Sequence, residues 1–197
     1  MRRKTIKSEL KNTLSLITLI GSLLSQTIEN PVKIYASSTN STARAGEVVD
    51  INILAEMEDE WHIYSIYEIT EGPLPTEITV SGPAIGVVAP VSEPKPKYVY
   101  DPGFETDTYY HEGDTKFILP VRLKRNISPG EYKIAVDVFY MVCNERLCYP
   151  PINKADTVFI TIEEGNPRSD KIKFSSVAKI SSNKDASEKK STLLGIL

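Results

Sequence analysis

Between residues 31 and 163 the apolar positions of this chain recur at every second residue, and no sustained helical period competes with them. Val49, Ile51 and Ile53 alternate inside residues 47–57 (EVVDINILAEM). Tyr132, Ile134, Val136, Val138 and Tyr140 alternate inside residues 131–142, the longest such run, and residues 156–162 (DTVFITI) repeat the pattern. A period of two places those side chains on one face of a half-buried strand. Shorter β-branched and aromatic runs add strands at Val32–Ser38 and at residues 61–67, 77–80 and 115–125. Residues 87–99 are proline-spaced and read as an extended edge. Asp101-Pro102-Gly103-Phe104 and residues 126–130 (NISPG) carry turn chemistry, because proline presets φ and glycine tolerates positive values. About eight short strands with turn signals between them predict an all-β domain, an immunoglobulin-like β-sandwich, over residues 31–164.

The flanks differ from this middle. Arg2, Arg3, Lys4, Lys7 and Lys11, with Glu9 the only acid, precede the apolar run LSLITLIGSLL at residues 14–24. That run is short of the ~20 residues a spanning helix needs and matches the apolar region of an export signal. Residues 1–25 are therefore expected to be a signal peptide cleaved near Ser25; an uncleaved anchor or a buried strand is the alternative. Residues 165–197 are rich in Ser, Lys, Asn and Asp and read as a flexible polar linker. They end on Leu193-Leu194-Gly195-Ile196-Leu197, either the start of a membrane helix that would tether the domain or an apolar tail.

Charge sharpens the division. Residues 1–25 carry +4 (five basic, one acidic), residues 165–197 carry +4 (seven basic, three acidic), and residues 26–164 carry −11 (11 basic, 22 acidic). So acidic a domain is not built for phosphate backbones, and nucleic acid is not expected as a partner. The only histidines, His62 and His111, make no ligand cluster, so no metal and no other cofactor is expected.

The only cysteines, Cys143 and Cys148, lie in VFYMVCNERLCYPP at residues 138–151. In an exported protein two cysteines make one bridge the natural oxidised state. The plain reading is a structural staple. A bridge closing so short a loop contributes only ~2 kcal/mol in the chain-entropy model, against ~4.7 for a loop near 100 residues. The other reading is a redox centre, in which a thiolate attacks one sulfur and the second sulfur resolves the mixed disulfide. Arg146 inside the loop favours a thiolate, Glu145 opposes it, and no helix N-terminus is at hand.

Preceded by VFY, CNERLCYPP resembles the active-site hairpin of the N-terminal periplasmic domain of the thiol:disulfide interchange protein DsbD, the disulfide bond corrector domain family. EWHIYS at residues 60–65, GPLPTEI at 72–78 and YDPGFETDTYYHEGDTKFILPV at 100–121 fall in the order of that family, so the resemblance spans residues 31–163. It implies an immunoglobulin-like fold that relays reducing equivalents. They would come from a membrane electron-donor domain, of the same or a separate chain, and pass to periplasmic thioredoxin-like or isomerase proteins. It makes Cys148 the sulfur that bonds to partners and Cys143 the resolving one. It makes Phe104 a cap over the disulfide, flanked by Asp101 and Glu105, and sets His62, Tyr64 and Tyr149 around the site. Phe104 read alone is equally an ordinary core aromatic, and Trp61 reads as core. The loop between the cysteines is one residue shorter than in well-known members, and DPGFE lacks paired acids directly before the phenylalanine. A non-catalytic exported β-sandwich binding domain with a structural disulfide, or an assembly partner of a membrane machine, is the competing function.

Overall fold

A computed structural model describes residues 30–174, and the described fold is all-β with twelve strands. In chain order they are β1 (Val32–Ser38), β2 (Thr42–Arg44), β3 (Val48–Met57), β4 (His62–Tyr64), β5 (Glu77–Ser81) and β6 (Ile85–Val88). β7 (Lys97–Asp101), β8 (Thr106–Glu112), β9 (Thr115–Leu123), β10 (Gly130–Tyr140), β11 (Val142–Cys143) and β12 (Ile152–Glu163) follow. Two four-stranded sheets, ordered β1-β3-β9-β6 and β2-β12-β10-β5, form the immunoglobulin-like sandwich. A third sheet, β11-β4-β8-β7, stands at one end of it.

The alternation sets the core. Ile51, Ile53, Phe117, Leu119 and Val121 of the first sheet and Ile134, Val136, Val138, Ile160 and Ile162 of the second are at most 2% exposed and form one apolar cluster. β10 follows the expected register, with Ile134, Val136, Val138 and Tyr140 turned inward. Yet β12, not β10, is the longest strand, because its pairing with β10 continues through polar Asn153 and Lys154 to Ile152 opposite Tyr140. β10 stops at Tyr140, and Val142–Cys143 switches to the third sheet.

The third sheet departs from the sequence pattern. β8 was not expected: its inward residues are Thr108 and His111, so no apolar alternation marks it. The extended edge at residues 87–99 is two strands of different sheets, β6 and β7, separated by Pro90, Pro94 and Pro96. The strand expected at 61–67 shortens to β4 because Glu93 takes over the next residues. Its carboxylate accepts from Ser65 Oγ and, at 3.1 Å, from the Ile66 amide, and lies 2.9 Å from His111 Nε2.

Residues 165–174 do not leave the domain as the linker reading of that stretch expected. The Val48 amide donates to the Lys171 carbonyl at 2.7 Å, and Arg122 donates to the Ile172 carbonyl at 3.0 Å and covers the Phe174 ring. Arg168 binds the buried Glu47 carboxylate through its backbone N–H (2.7 Å), Nε (2.8 Å) and a terminal nitrogen (2.6 Å). These hydrogen bonds, opposed by burial, hold the Glu47 carboxyl at about 2, against an ordinary 4.5. The signal peptide expected at residues 1–25 and the apolar end at 193–197 lie outside the described residues.

Candidate redox site

The cysteine hairpin follows from its spacing. Four residues between the cysteines let Cys143 and Cys148 face each other as an antiparallel pair, Cα atoms 4.1 Å apart, joined by a disulfide. The Asn144 amide donates to the Leu147 carbonyl and the Tyr149 amide to the Val142 carbonyl, each at 2.9 Å. Those bonds flank the cysteines, which therefore occupy a non-hydrogen-bonded position, where facing side chains come closest. The Asn144 side chain accepts from the Arg146 and Leu147 amides, both at 2.9 Å, and tightens the turn.

The two sulfurs have unequal surroundings. Cys143, on β11 and paired to His62 of β4, is 1% exposed. Cys148 lies outside the strand and is exposed. Both line a groove of about 1020 Å³ between the hairpin, the end of β7 and the β3–β4 turn.

Tyr64 is the buried polar group nearest Cys143. Its hydroxyl donates to Asp101 Oδ2 at 2.7 Å and lies 3.4 Å from Cys143 Sγ. Burial, and then the Asp101 carboxylate, push the Tyr64 phenol far above its ordinary range, so it keeps its proton. His62 stacks edge-on to Tyr64 (5.4 Å) and tilts on Tyr110 (4.5 Å), and its buried Nε2 has no protein partner. Burial lowers its basicity, against the opposing charges of Asp101 and Glu112.

The turn expected at residues 101–104 is the tip of the β7–β8 hairpin, with the Asp101 side chain accepting from the Gly103 amide at 2.8 Å. Phe104 is half-buried and meets Tyr64 edge-on at 5.9 Å. Tyr149 stacks flat on Trp61 at 5.1 Å. Of the candidate residues, then, Cys143, Cys148, Asp101, Tyr64 and His62 line one groove, with Phe104 one ring away. Tyr149 is joined to that groove through Trp61. Glu105 is exposed, outside the groove, and holds a left-handed φ of 54°.

A family model described as thiol:disulfide interchange protein DsbD, N-terminal, matches residues 32–160. The chain belongs to that family. It therefore carries the DsbD N-terminal thiol–disulfide interchange domain, with its cysteine pair joined as a disulfide. Among solved structures, the DsbD N-terminal domain of Neisseria meningitidis in the reduced form is similar at 16% identity and a TM-score of 0.41, over 69% of this chain and 96% of that one. The N-terminal periplasmic domain of ScsB from Proteus mirabilis is similar at 14% identity and a TM-score of 0.46, over 70% of this chain and 49% of that one. No curated protein sequence matches the chain significantly.

Sequence reasoning missed several groove residues of this DsbD-family domain. Trp61 packs against the core, as read, and also lines the groove, as do Tyr100, Tyr110, Glu112 and Leu147. Tyr110 and Glu112 sit on β8, the unexpected strand, so nothing in the local pattern could place them. Glu93, which pins the chain just after Tyr64, lies in the proline-spaced segment and carries no motif.

Proposed function

We propose that this domain is a periplasmic carrier of reducing equivalents that works through reversible opening of the Cys143–Cys148 disulfide. The observation that carries the reading is the inequality of the sulfurs: Cys148 is exposed in the groove while Cys143 is 1% exposed beneath it. A donor thiolate reaches Cys148 Sγ and bonds to it, and the Cys143–Cys148 bond breaks with its electron pair on Cys143. The donor's second thiolate then displaces Cys148, leaving the domain as a dithiol and the donor as a disulfide. The forward step runs the same exchange on a thioredoxin-like or isomerase partner: the Cys148 thiolate attacks the partner disulfide and Cys143 resolves it.

Tyr64 supports the departing sulfur. The phenol keeps its proton and donates it to Asp101 Oδ2 while the disulfide is closed; 3.4 Å from Cys143 Sγ, the same O–H turns to the thiolate that forms there. Phe104, packed on Tyr64 in the tip of the β7–β8 hairpin, acts as the cap that partner docking displaces. The membrane donor domain and the periplasmic location belong to this same reading, supported by family membership.

The test is trapping. Cys143→Ala is expected to accumulate a mixed disulfide at Cys148 with a thioredoxin-fold dithiol protein, seen by non-reducing electrophoresis and mass spectrometry. Cys148→Ala is expected to trap none, since Cys143 is covered. In the wild type, dithiothreitol should open the bridge with the fold intact. A bridge that resists reduction until the domain unfolds would instead make it a structural staple of a binding domain.

A further inference from the structure

The surface around Cys148 has a composition that specifies what docks there. Leu147, Val99 and Tyr100 line the groove at 49%, 40% and 58% exposure, an apolar patch beside the accessible sulfur. The rim outside them is acidic. Asp59, Glu60 and Glu145 line the groove, are exposed, and have no ion-pair partner in the described structure. Glu112 is answered by Lys97, and Asp101 takes the Tyr64 hydroxyl. Arg146 is the one cationic side chain among the lining residues. Glu60 sits at a φ of 70°, a left-handed conformation that glycine adopts at less cost.

We propose that this groove selects a cationic thiol protein, one whose reactive cysteine lies in an apolar surface bordered by lysine or arginine, and that it discriminates against anionic small disulfides. The inference rests on the redox reading above and adds the partner's chemistry to it. The apolar patch supplies contact area once the cysteines meet. The uncompensated carboxylates act earlier, at encounter: a cleft lined by one sign of charge raises the local concentration of the opposite sign and speeds association about 10- to 1,000-fold at low salt. A glutathione-like disulfide, which carries net negative charge, meets the same field as a barrier.

Three cyclic disulfide peptides, each Cys-Gly-Pro-Cys flanked by lysines, serines or glutamates, provide the test. The full chain is reduced with dithiothreitol, desalted and mixed with each peptide, and oxidation of the cysteine pair is followed by acid quench and mass spectrometry. In each turnover the Cys148 sulfur bonds to one peptide sulfur as the peptide S–S bond breaks. Cys143 then displaces that peptide sulfur and closes the Cys143–Cys148 bond. Two electrons and two protons pass from the dithiol to the peptide. Rates are divided by those of dithiothreitol with the same peptide, which removes intrinsic peptide reactivity.

The lysine peptide should then outrun the glutamate peptide about tenfold at low ionic strength. The ratio should shrink toward unity in ~1 M salt, where charges are screened beyond about 3 Å. Asp59→Asn/Glu60→Gln/Glu145→Gln should abolish the preference. Glu131→Gln/Glu163→Gln/Glu164→Gln, which removes three exposed carboxylates at the opposite end of the sandwich, should keep it. Glu60→Gly, which relieves the left-handed strain, serves as a fold-safe single variant and should reduce the ratio about two- to threefold. Equal rates for the two charged peptides, or a preference that survives the rim triple variant, overturns the charge selection while the redox reading stands. Failure of the serine peptide to oxidise the pair overturns the redox reading and this inference with it.

Discussion

Inward positions of the sandwich hold aliphatic and aromatic side chains such as Ile53, Phe117 and Val136; those of β11-β4-β8-β7 hold, besides Ile63 and Val142, the groups Cys143, Tyr64, Thr108 and His111. Burial is equally deep in both, at 0% for the first three and no more than 6% for the last four. What differs is the condition attached to it. An aliphatic side chain gains from leaving water wherever it fits. A buried hydroxyl or imidazole must find a partner or it destabilises the fold. Three groups of the small sheet meet that condition, Tyr64 with Asp101, Thr108 with the Val99 carbonyl and His111 with Glu93, while among the described residues the buried Nε2 of His62 does not. Each partner comes from another strand or loop, so the polar contacts that keep these groups buried also fix the hairpins around the disulfide. The sandwich supplies stability, and the small sheet converts it into placement of a sulfur.

That contrast breaks if a sandwich substitution alters the chemistry. Phe117→Ala removes a ring that is 0% exposed and should cost about 3–5 kcal/mol of unfolding free energy by denaturant titration. The rate of disulfide reduction in the molecules still folded should stay as in the wild type.

A second substitution probes the polar contact at the far end of the sandwich. Glu47→Gln removes the charge that Arg168 and the Arg44 amide bind, and should cost about 3 kcal/mol near neutral pH, again without changing exchange. Because the Glu47 carboxyl is held at about 2 against an ordinary 4.5, its contribution is complete above about pH 4.5 and fades as pH falls through 2. Stability curves of the variant and the wild type should therefore converge at low pH, measured by urea titration at each pH; parallel curves would show that the ion pair does not set the difference.

The smallest effect sharpens the contrast most. Tyr64→Phe keeps the ring and deletes the hydroxyl that faces both Asp101 and Cys143. Reduction of the disulfide should slow about tenfold, a barrier increase of about 1.4 kcal/mol, with little change in melting temperature. An unchanged rate would make Tyr64 a packing residue, like those of the sandwich.

Legibility in the sequence divides along the same line. Strands β3, β10 and the second half of β12 announce themselves because Val49, Ile51, Ile53, Ile134, Val136 and Val138 alternate and the structure turns all of them inward. β8 is silent because Thr108 and His111 do in polar form what isoleucines do elsewhere, and the partners that make this possible are Val99, across the β7–β8 hairpin, and Glu93, in the loop before it. The cysteine hairpin is readable from spacing alone. Asp101, His62 and Tyr64 needed the family pattern to be singled out, since their meeting depends on β4 and β7 reaching the same groove from either side of β8. Trp61 packs against the core, as the sequence reading has it, and also lines the groove, a second role for which an aromatic at a strand start carries no local mark.

That last residue has an optical consequence. Trp61 is the chain's only tryptophan, and it lies flat against Tyr149, the residue bonded directly to Cys148. Indole emission excited near 295 nm therefore originates at a single place, the lip of the disulfide groove, and its intensity is expected to change when the S–S bond opens. The domain carries its own label at the cysteine hairpin, and on the carrier function proposed above a stopped-flow trace of the unmodified protein is expected to follow opening and closing of the bridge in real time.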